Sequence, residues 1–367
     1  MIFVQDLINN FKKNKINFYT GVPDSVLKNL SNYFNKLDKT KHVIAANEGA
    51  AASIGIGYYL STKKIACVYL QNSGLGNAIN PLISIAHRKV YSVPMMLMIG
   101  WRGAPRKKDE PQHMVKGKIT TKLLKLLDIN YCVLKEKKDL IKLNKLIKSA
   151  YKNKKTVACL IEKDILKEKK ISKPRKISKP HPFRKDFIQE LLKIIPKKAK
   201  LISTTGYTSR ELMQIRKEKK LFKGRDFYMV GGMGHASMVS LGCSINSQDQ
   251  IICLDGDGSM LMHLGSLRTF GYLGNSRLKH ILLNNDSHES VGGQPTTAGK
   301  INFKKLVKSL GYKEYFKISE NKKLKLTTKK FLNSKGPSFL EVKISNGTLS
   351  NLSRPDSLIK IKKRFMD

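Results

Sequence analysis

The chain has 367 residues, of which 41% are hydrophobic, a composition that suits a folded protein with room for two domains. Its formal net charge of +43 comes from lysines that are spread over most predicted helices and loops. A nucleic-acid-binding protein is expected to concentrate basic residues on one stretch, so we expect no nucleic-acid partner. No apolar run is long enough to cross a bilayer, and no segment resembles a signal peptide, so we expect no membrane partner.

The cysteines predict a reducing compartment. They are odd in number, form no Cys-x-x-Cys pair and mostly lie inside apolar runs that resemble strands. Buried thiols explain this pattern better than disulfides or a zinc site. We therefore expect a cytoplasmic protein. The cysteines are Cys67, Cys132, Cys159, Cys243 and Cys253.

Segments of the first 165 residues alternate between helix and strand, which predicts an α/β domain. A strand predicted at 42–46 runs directly into Glu48, the first residue of a helix made of small, uncharged residues. A carboxyl group in such an apolar setting suits proton transfer. The alternative is an ordinary glutamate that the helix dipole stabilises.

A polar loop follows the strand predicted at 94–99 and occupies residues 100–113. It begins at a strand end, where loops that bind ligands commonly lie, although it could also be a solvated excursion of the chain. Its basic side chains and its histidine are Arg102, Arg106, Lys107, Lys108 and His113.

Helical and strand periodicity is lost at residues 166–184, where Ile-Ser-Lys-Pro occurs twice. Proline and the residue before it disfavour helix, so this segment predicts an extended linker. A second α/β domain is predicted at 185–367, with a helix at 260–272 among its elements.

Polar residues follow two strands of the second domain. One predicted strand is followed by Gly256, Asp257 and Gly258, and the next ends in Asn284 and Asn285. A right-handed crossover brings the carboxyl ends of these parallel strands to one edge of the sheet. Carboxylate, amide and carbonyl oxygens suit Mg²⁺, which takes further ligands from a diphosphate and water.

The two glycines strengthen this interpretation, because they let backbone N–H groups approach phosphate oxygens at the start of a helix. The stretch therefore predicts a site for a metal ion and a diphosphate. An ordinary Asp-Gly turn followed by a pair of asparagines at a strand end remains the alternative.

The spacing of these residues resembles the thiamine diphosphate motif, because 25 residues separate Gly258 from Asn284. The resemblance implies that Asp257, Asn285 and the carbonyl group of Ser287 hold the metal ion. Five further motifs are similar to those of the thiamine diphosphate-dependent decarboxylases that act on phosphonopyruvate and sulfopyruvate. They occupy residues 21–25, 47–51, 108–113, 234–237 and 288–294.

This resemblance implies an α/β fold with two thiamine diphosphate-binding-fold domains, each a mostly parallel sheet flanked by helices. Residues 1–165 would bind the pyrimidine of the cofactor, and residues 185–367 would bind its diphosphate and Mg²⁺. The resemblance also implies a homodimer or larger homo-oligomer, with an active site between subunits.

The resemblance further implies roles for single residues. Glu48 would activate the cofactor, and Asp24 and His113 would handle protons and the substrate carboxylate. Met233 would hold the cofactor in its bent conformation, and the carbonyl group of Gly231 would accept from its amino group. The diphosphate would lie against Gly256, Gly258 and Ser259. Candidates for binding the acidic group of the substrate are Ser25, Arg102, Lys107, Lys108 and Arg210.

The implied reaction is the loss of CO₂ from 3-phosphonopyruvate, which gives phosphonoacetaldehyde for phosphonate biosynthesis. Decarboxylation of sulfopyruvate or of another 2-oxo acid is the alternative within this class. From a different class, a basic nucleic-acid-binding protein remains as the alternative that is not an enzyme.

Overall fold

A computed structural model describes residues 1–168, 181–352, 355 and 357–367. The chain divides into two compact units, Met1–Lys173 with Val291–Gln294, and Pro174–Ser290 with Pro295–Asp367. Most of the linker predicted at 166–184 lies outside the described residues, and its extent stays a prediction. Two of its described residues, Leu166 and Lys167, form a strand that pairs with Ile2 and Phe3.

The first unit alternates strands and helices. Its sheet has the strand order β3-β2-β4-β5-β7-β6, all pairs are parallel, and β1 pairs separately with β8. The elements are β1 (Ile2–Phe3), α1 (Val4–Lys13), β2 (Tyr19–Gly21), α2 (Lys28–Phe34), β3 (His42–Ile44), α3 (Glu48–Thr62), β4 (Ala66–Gln71), α4 (Leu75–Pro81), β5 (Met95–Gly100), α5 (Pro111–Leu126), β6 (Asn130–Leu134), α6 (Leu140–Asn153), β7 (Val157–Ile161) and β8 (Leu166–Lys167).

Burial on both faces explains the apolar strands of this sheet. Alternate residues of β4 pack into different clusters, Cys67 and Tyr69 into one and Val68 and Leu70 into the other. Because successive side chains of a strand point to opposite faces, these clusters lie on the two sides of the sheet. Helices can then cover both faces.

The chain forms a second sheet beyond residue 184, with the strand order β10-β9-β11-β12-β16-β15 and parallel pairs throughout. The elements are α7 (Arg184–Ile194), β9 (Lys200–Ser203), α8 (Tyr207–Lys219), β10 (Arg225–Tyr228), α9 (Ala236–Ile245), β11 (Ile251–Gly256), α10 (Asp257–Met262), α11 (Ser266–Leu273), β12 (Leu278–Asn284), β13 (Ser287–His288), β14 (Gln294–Pro295), α12 (Phe303–Ser309), β15 (Glu314–Ile318), α13 (Leu324–Asn333), β16 (Ser338–Lys343) and α14 (Leu358–Met366).

The prediction of one helix at 260–272 is wrong, because α10 ends at Met262 and α11 begins at Ser266. The hydroxyl group of Ser266 donates to the carbonyl of His263 at 2.7 Å. A serine that bonds to nearby backbone competes with the helical hydrogen bonds, which agrees with the break.

In each sheet the direction in which successive strands are added reverses, between β2 and β4 in the first unit and between β9 and β11 in the second. The carboxyl ends of β2 and β4 are therefore neighbours, as are those of β9 and β11. Ligands of open α/β sheets bind outside such reversal points. Among the described residues, no helix has the length and apolar character needed to cross a membrane.

Candidate functional site

Asp24 lies where β2 ends in the first unit. It is 1% exposed, and its carboxylate accepts from the side-chain amide of Gln71, the last residue of β4, at 2.5 Å. The backbone N–H groups of Val26 and Leu27 also donate to it, at 3.1 and 3.0 Å. Burial raises the pKa of Asp24, although these hydrogen bonds act in the opposite direction. Asp24 is therefore a group that can hold a proton at a higher pH than an exposed aspartate.

Glu48 is the first residue of α3 and is 5% exposed. Its Oε2 accepts from Nδ2 of Asn77 at 2.7 Å, and Asn47 caps the helix by accepting from the backbone of Ala50 at 2.9 Å. The carboxyl group lies against Gly74, where a Cβ atom would stand 2.1 Å from Glu48 Oε1. A glycine at position 74 is thus required for this placement of the carboxyl group.

Arg102 follows β5 and is neutralised by two acidic residues. Its Nε and Nη2 donate to the carboxylate of Asp109 at 2.7 and 2.5 Å, and Nη2 lies 3.3 Å from Glu110 Oε1. Partial burial acts to raise the pKa of Asp109, but the guanidinium of Arg102 outweighs it and keeps this pKa below its usual value. Nη1 of Arg102 reaches the hydroxyl group of Ser25 at 3.3 Å. A substrate anion at Arg102 would therefore compete with Asp109.

His113 lies in the first turn of α5, and its Nδ1 is buried without a hydrogen-bond partner among the described residues. Burial, and then the charge of Arg102, lower the pKa of His113 to about 4. His113 is therefore uncharged at neutral pH and can accept a proton or a hydrogen bond. Lys107 and Lys108 lie exposed on the loop that precedes it.

We expect His113 to make the stability of the protein depend on pH. The groups that act on its ring are Arg102 and Lys116, which lower its pKa, and Asp109, which raises it. Because the unfolded chain takes up this proton near pH 6.5 and the folded protein only near pH 4, stability is lost as pH falls through this window. The full difference in pKa corresponds to about 3 kcal/mol, which we discount to about 1 kcal/mol for solvent screening.

Urea unfolding of the wild type and of His113→Gln at pH 7.0, 5.5 and 4.5 measures this effect. The variant should lose less stability than the wild type on acidification. Parallel losses in the two proteins would contradict the lowered pKa of His113.

Ser259 directly follows Gly256, Asp257 and Gly258 in the second unit. Its hydroxyl group lies 2.8 Å from that of Thr204, which follows β9, and it accepts from the backbone N–H of Gly234 at 3.0 Å. The backbone at Gly256 is open, because the nearest atom to a Cβ there would be a methyl carbon of Thr204 at 3.9 Å. Gly258 is packed tightly, with a Cβ position 2.7 Å from the ring of His288. There is space beside Gly256 for a phosphate group, although the backbone N–H of Gly256 itself donates to Oδ1 of Asp255 at 2.9 Å.

Asp257 is 3% exposed and accepts from the hydroxyl group of Thr296 at 2.5 Å. Burial, together with the nearby charge of Asp286, raises the pKa of Asp257 to about 6, although the bond from Thr296 opposes this shift. In the part of the chain that the structure describes, no lysine, arginine or histidine forms an ion pair with Asp257. A buried carboxylate without a cationic partner fits a site for a divalent cation.

The two asparagines at the end of β12 have different partners. Asn284 is 1% exposed and donates through Nδ2 to Glu341 at 3.1 Å. Asn285 donates through Nδ2 to Glu289 at 3.2 Å, and its Oδ1 accepts from the backbone N–H of Ser287 at 3.2 Å. Strand β11 pairs with β12 so that Gly256 lies opposite Leu283. Asp257 and the asparagines therefore follow at the same edge of the sheet, and oxygen atoms of Asp257, Asn285 and Ser287 would suit Mg²⁺.

A turn rich in glycine follows β10 and contains Gly231 and Met233. Gly232 and Gly234 adopt φ angles of +68° and +91°, which favour glycine. A Cβ atom at Gly234 would also stand 2.5 Å from the ring of His263. The turn thus needs glycine both for its backbone conformation and for its packing.

Arg210 belongs to α8 in the second unit, whereas the other four candidates for binding the acidic group belong to the first. Its guanidinium lies over the ring of Tyr207, 5.0 Å from the centroid, and its Nε donates to the carbonyl of Gly206 at 3.4 Å. The structure therefore brings Ser25 and Arg102 together and places Arg210 in the other unit.

Comparisons with known proteins identify the class of both units. Residues 1–124 match a model described as the N-terminal TPP binding domain of thiamine pyrophosphate enzymes, and residues 204–342 match the corresponding C-terminal TPP binding domain. Thiamine pyrophosphate is another name for thiamine diphosphate. The matches confirm the predicted cofactor and the prediction of two thiamine diphosphate-binding α/β domains.

Similar proteins of known activity narrow the class of enzyme. A phosphonopyruvate decarboxylase of Streptomyces viridochromogenes is 31% identical over 371 residues, which cover 97% of this chain and 91% of that protein. A sulfopyruvate decarboxylase of Methanosarcina acetivorans is 25% identical over 389 residues, which cover 99% of this chain and 96% of that protein. The beta subunit of a sulfopyruvate decarboxylase of Methanocaldococcus jannaschii is 36% identical over 132 residues, 36% of this chain and 68% of that subunit. The chain belongs to the phosphonopyruvate decarboxylase family of thiamine diphosphate-dependent enzymes.

Several residues of the site lie outside the motifs that predicted it. Gln71 holds Asp24, Asn77 holds Glu48 and Thr296 holds Asp257. Each pair joins residues at least 29 positions apart, so only the folded structure identifies these partners. The roles of the individual site residues stay predictions.

Proposed function

We propose that this protein removes CO₂ from 3-phosphonopyruvate and releases phosphonoacetaldehyde, a step of phosphonate biosynthesis. The observation that carries this proposal is the 31% identity to a phosphonopyruvate decarboxylase over nearly the whole length of both chains. Thiamine diphosphate, when bound, supplies the electron sink that a 2-oxo acid needs in order to lose CO₂.

The second unit would hold the diphosphate end of the cofactor. Asp257, Asn285 and the carbonyl group of Ser287 would bind Mg²⁺, which prefers oxygen ligands. The space beside Gly256, where a Cβ atom would meet no atom closer than 3.9 Å, would leave room for the diphosphate. Gly258 and Ser259 complete this stretch, and the turn with Gly231 and Met233 would contact the rest of the cofactor.

The first unit would supply the groups that hold and move protons. Glu48, buried and fixed by Asn77, would exchange a proton with the pyrimidine ring of the cofactor. Asp24 can hold a proton because burial raises its pKa. His113 stays neutral at pH 7 and can accept a proton or a hydrogen bond.

Basic side chains and a hydroxyl group would bind the phosphonate. Asp109 and Glu110 compensate the charge of Arg102. Arg102 would therefore bind the phosphonate mainly through Nη1, which lies beside the hydroxyl group of Ser25. Lys107 and Lys108 are exposed and can add positive charge when an anion binds. Arg210 remains a candidate from the second unit.

A sulfonate substrate is the second candidate, because a sulfopyruvate decarboxylase matches over 99% of this chain. A phosphonate carries up to two negative charges and a sulfonate only one, so compensating basic residues should favour the phosphonate. The test is an assay that couples aldehyde release to a dehydrogenase, with phosphonopyruvate, sulfopyruvate and pyruvate compared at saturating cofactor. Phosphonopyruvate should give the highest kcat/KM, and a higher value for sulfopyruvate would replace the proposed substrate.

We also propose a homodimer or larger homo-oligomer that works in the cytoplasm. The naming of related sulfopyruvate decarboxylase chains as subunits supports an assembly. All five cysteines are free thiols, which supports a reducing compartment.

A further inference from the structure

The side-chain amide of Asn285 has two chemically different ends. A divalent cation can bind only its oxygen, whereas its nitrogen only donates hydrogen bonds. In the structure Nδ2 donates to Oε2 of Glu289 at 3.2 Å, and Oδ1 accepts from the backbone N–H of Ser287 at 3.2 Å, which leaves its second lone pair for a cation. An ionised carboxylate accepts but does not donate, so Glu289 can face Nδ2 and cannot form this bond with Oδ1.

Two further donors hold Glu289 in place. Nη2 of Arg184 lies 2.5 Å from Oε2, and the backbone N–H of Gly347 donates to Oε1 at 2.5 Å. The side chain of Glu289 is only 16% exposed and that of Arg184 only 5%. The three hydrogen bonds to Glu289 occupy both of its oxygens, so it is suited to hold a neighbouring group in position.

Arg184 is anchored on its other side by Glu211. Its Nη1 lies 3.4 Å from Oε1 of Glu211, which is 1% exposed and also accepts from the backbone N–H of Leu349 at 3.1 Å. The arginine therefore lies between two buried or half-buried carboxylates. This series of contacts, from Glu211 through Arg184 and Glu289 to Asn285, joins segments that are far apart in sequence.

We propose that Glu289, held by Arg184, is a positioning residue that orients the amide of Asn285 so that its oxygen is presented to the metal ion. This inference rests on the proposed function, in which Asn285 is a ligand of Mg²⁺. The partners of a ligand outside the metal's own shell commonly change metal affinity about 10- to 100-fold when they are replaced.

The first test is Glu289→Gln. Glutamine keeps the size of the side chain, but it can both donate and accept, so it no longer selects which end of the Asn285 amide faces it. Calorimetric titration of thiamine diphosphate at a series of Mg²⁺ concentrations gives the apparent affinity for Mg²⁺. We expect this affinity to fall about 10- to 100-fold in the variant. An affinity equal to that of the wild type would overturn the proposal.

A second variant weakens the support that Arg184 gives to Glu289. Arg184→Lys keeps the positive charge, but lysine lacks the planar fork that lets arginine reach Glu211 and Glu289 together. We expect a weaker affinity for Mg²⁺ here as well. An affinity for Mg²⁺ equal to that of the wild type in Arg184→Lys, or in Glu289→Gln, would refute the role of Arg184 and Glu289.

Glu341→Gln is the matched control. It alters the carboxylate that accepts from Asn284, the adjacent amide, at 3.1 Å in the same unit. Thermal unfolding of both glutamine variants reports any general loss of stability. The affinity of the control for Mg²⁺ should stay within about twofold of the wild type, because Asn284 is not the proposed ligand. Equal losses in the two variants would show a general structural effect and overturn the proposal.

A double-mutant cycle with Asn285→Asp separates orientation from other effects. Both oxygens of an aspartate can bind a cation, so the orientation of its carboxylate need not be selected. Glu289→Gln should therefore not weaken Mg²⁺ binding further in the Asn285→Asp background. An equal loss in both backgrounds would refute the positioning role. Failure of the wild type to bind thiamine diphosphate with Mg²⁺ would instead refute the proposed site itself.

Discussion

Asp257→Asn is expected to abolish the Mg²⁺-dependent uptake of thiamine diphosphate, with an apparent affinity at least about 100-fold weaker than that of the wild type. Asp257 is the only proposed ligand with a negative charge, and it is buried without a cationic partner among the described residues. Removing a charged ligand from a buried site costs far more binding free energy than losing an exposed ion pair. Isothermal titration calorimetry with and without Mg²⁺ measures the loss.

Two controls make this result specific. The variant removes a buried charge, so its cofactor-free form should unfold at the same temperature as the wild type or at a higher one. Asp249→Asn changes a partly exposed aspartate just before β11, the strand that leads to Asp257. Its Oδ2 lies 3.7 Å from Nζ of Lys200, and this variant should leave cofactor uptake unchanged. Unchanged affinity in Asp257→Asn would contradict the assignment of the metal site.

Glu48→Gln is expected to reduce turnover about 100- to 10,000-fold, the usual contribution of a positioned acid or base, while cofactor binding is kept. Glutamine fills the same space beside Gly74 but cannot exchange a proton. Steady-state kinetics with phosphonopyruvate, together with calorimetry for thiamine diphosphate, measure the two properties separately. Near-normal turnover would contradict the proposed role of Glu48 in proton transfer.

Glu162→Gln is a matched control for Glu48→Gln, because Glu162 directly follows β7 of the same sheet. It should keep normal turnover.

Mixing Glu48→Gln with Asp257→Asn also tests the proposed assembly. If two copies of the chain share an active site, mixed oligomers should regain part of the wild-type activity.

The sequence was sufficient for the features that depend on local conformation and spacing. The glycines around Asp257 and the asparagines at the end of β12 lie at strand ends, and parallel strands necessarily bring such ends to one edge of a sheet. Glu48 was predicted to begin an apolar helix, and α3 begins at this residue. The sequence does not predict the break between α10 and α11, because periodicity does not reveal local contacts such as the bond from the Ser266 hydroxyl to the carbonyl of His263.

The partners of the charged residues could not be predicted from the chain. Arg102 was a candidate for binding a substrate anion, yet the structure shows it paired with Asp109 on the same loop. Whether two charges on a loop meet depends on its backbone path, which periodicity does not describe.

The sequence by itself determined the class of the protein, because strand ends, glycine turns and the spacing of the cofactor motif are local properties of the chain. Only the tertiary structure decided how the site residues are held, as in the contact between Arg184 and Glu289, which lie 105 residues apart. Hydrogen bonds between distant segments depend on distances and directions that exist only after folding, since the strands and helices must first bring those segments together.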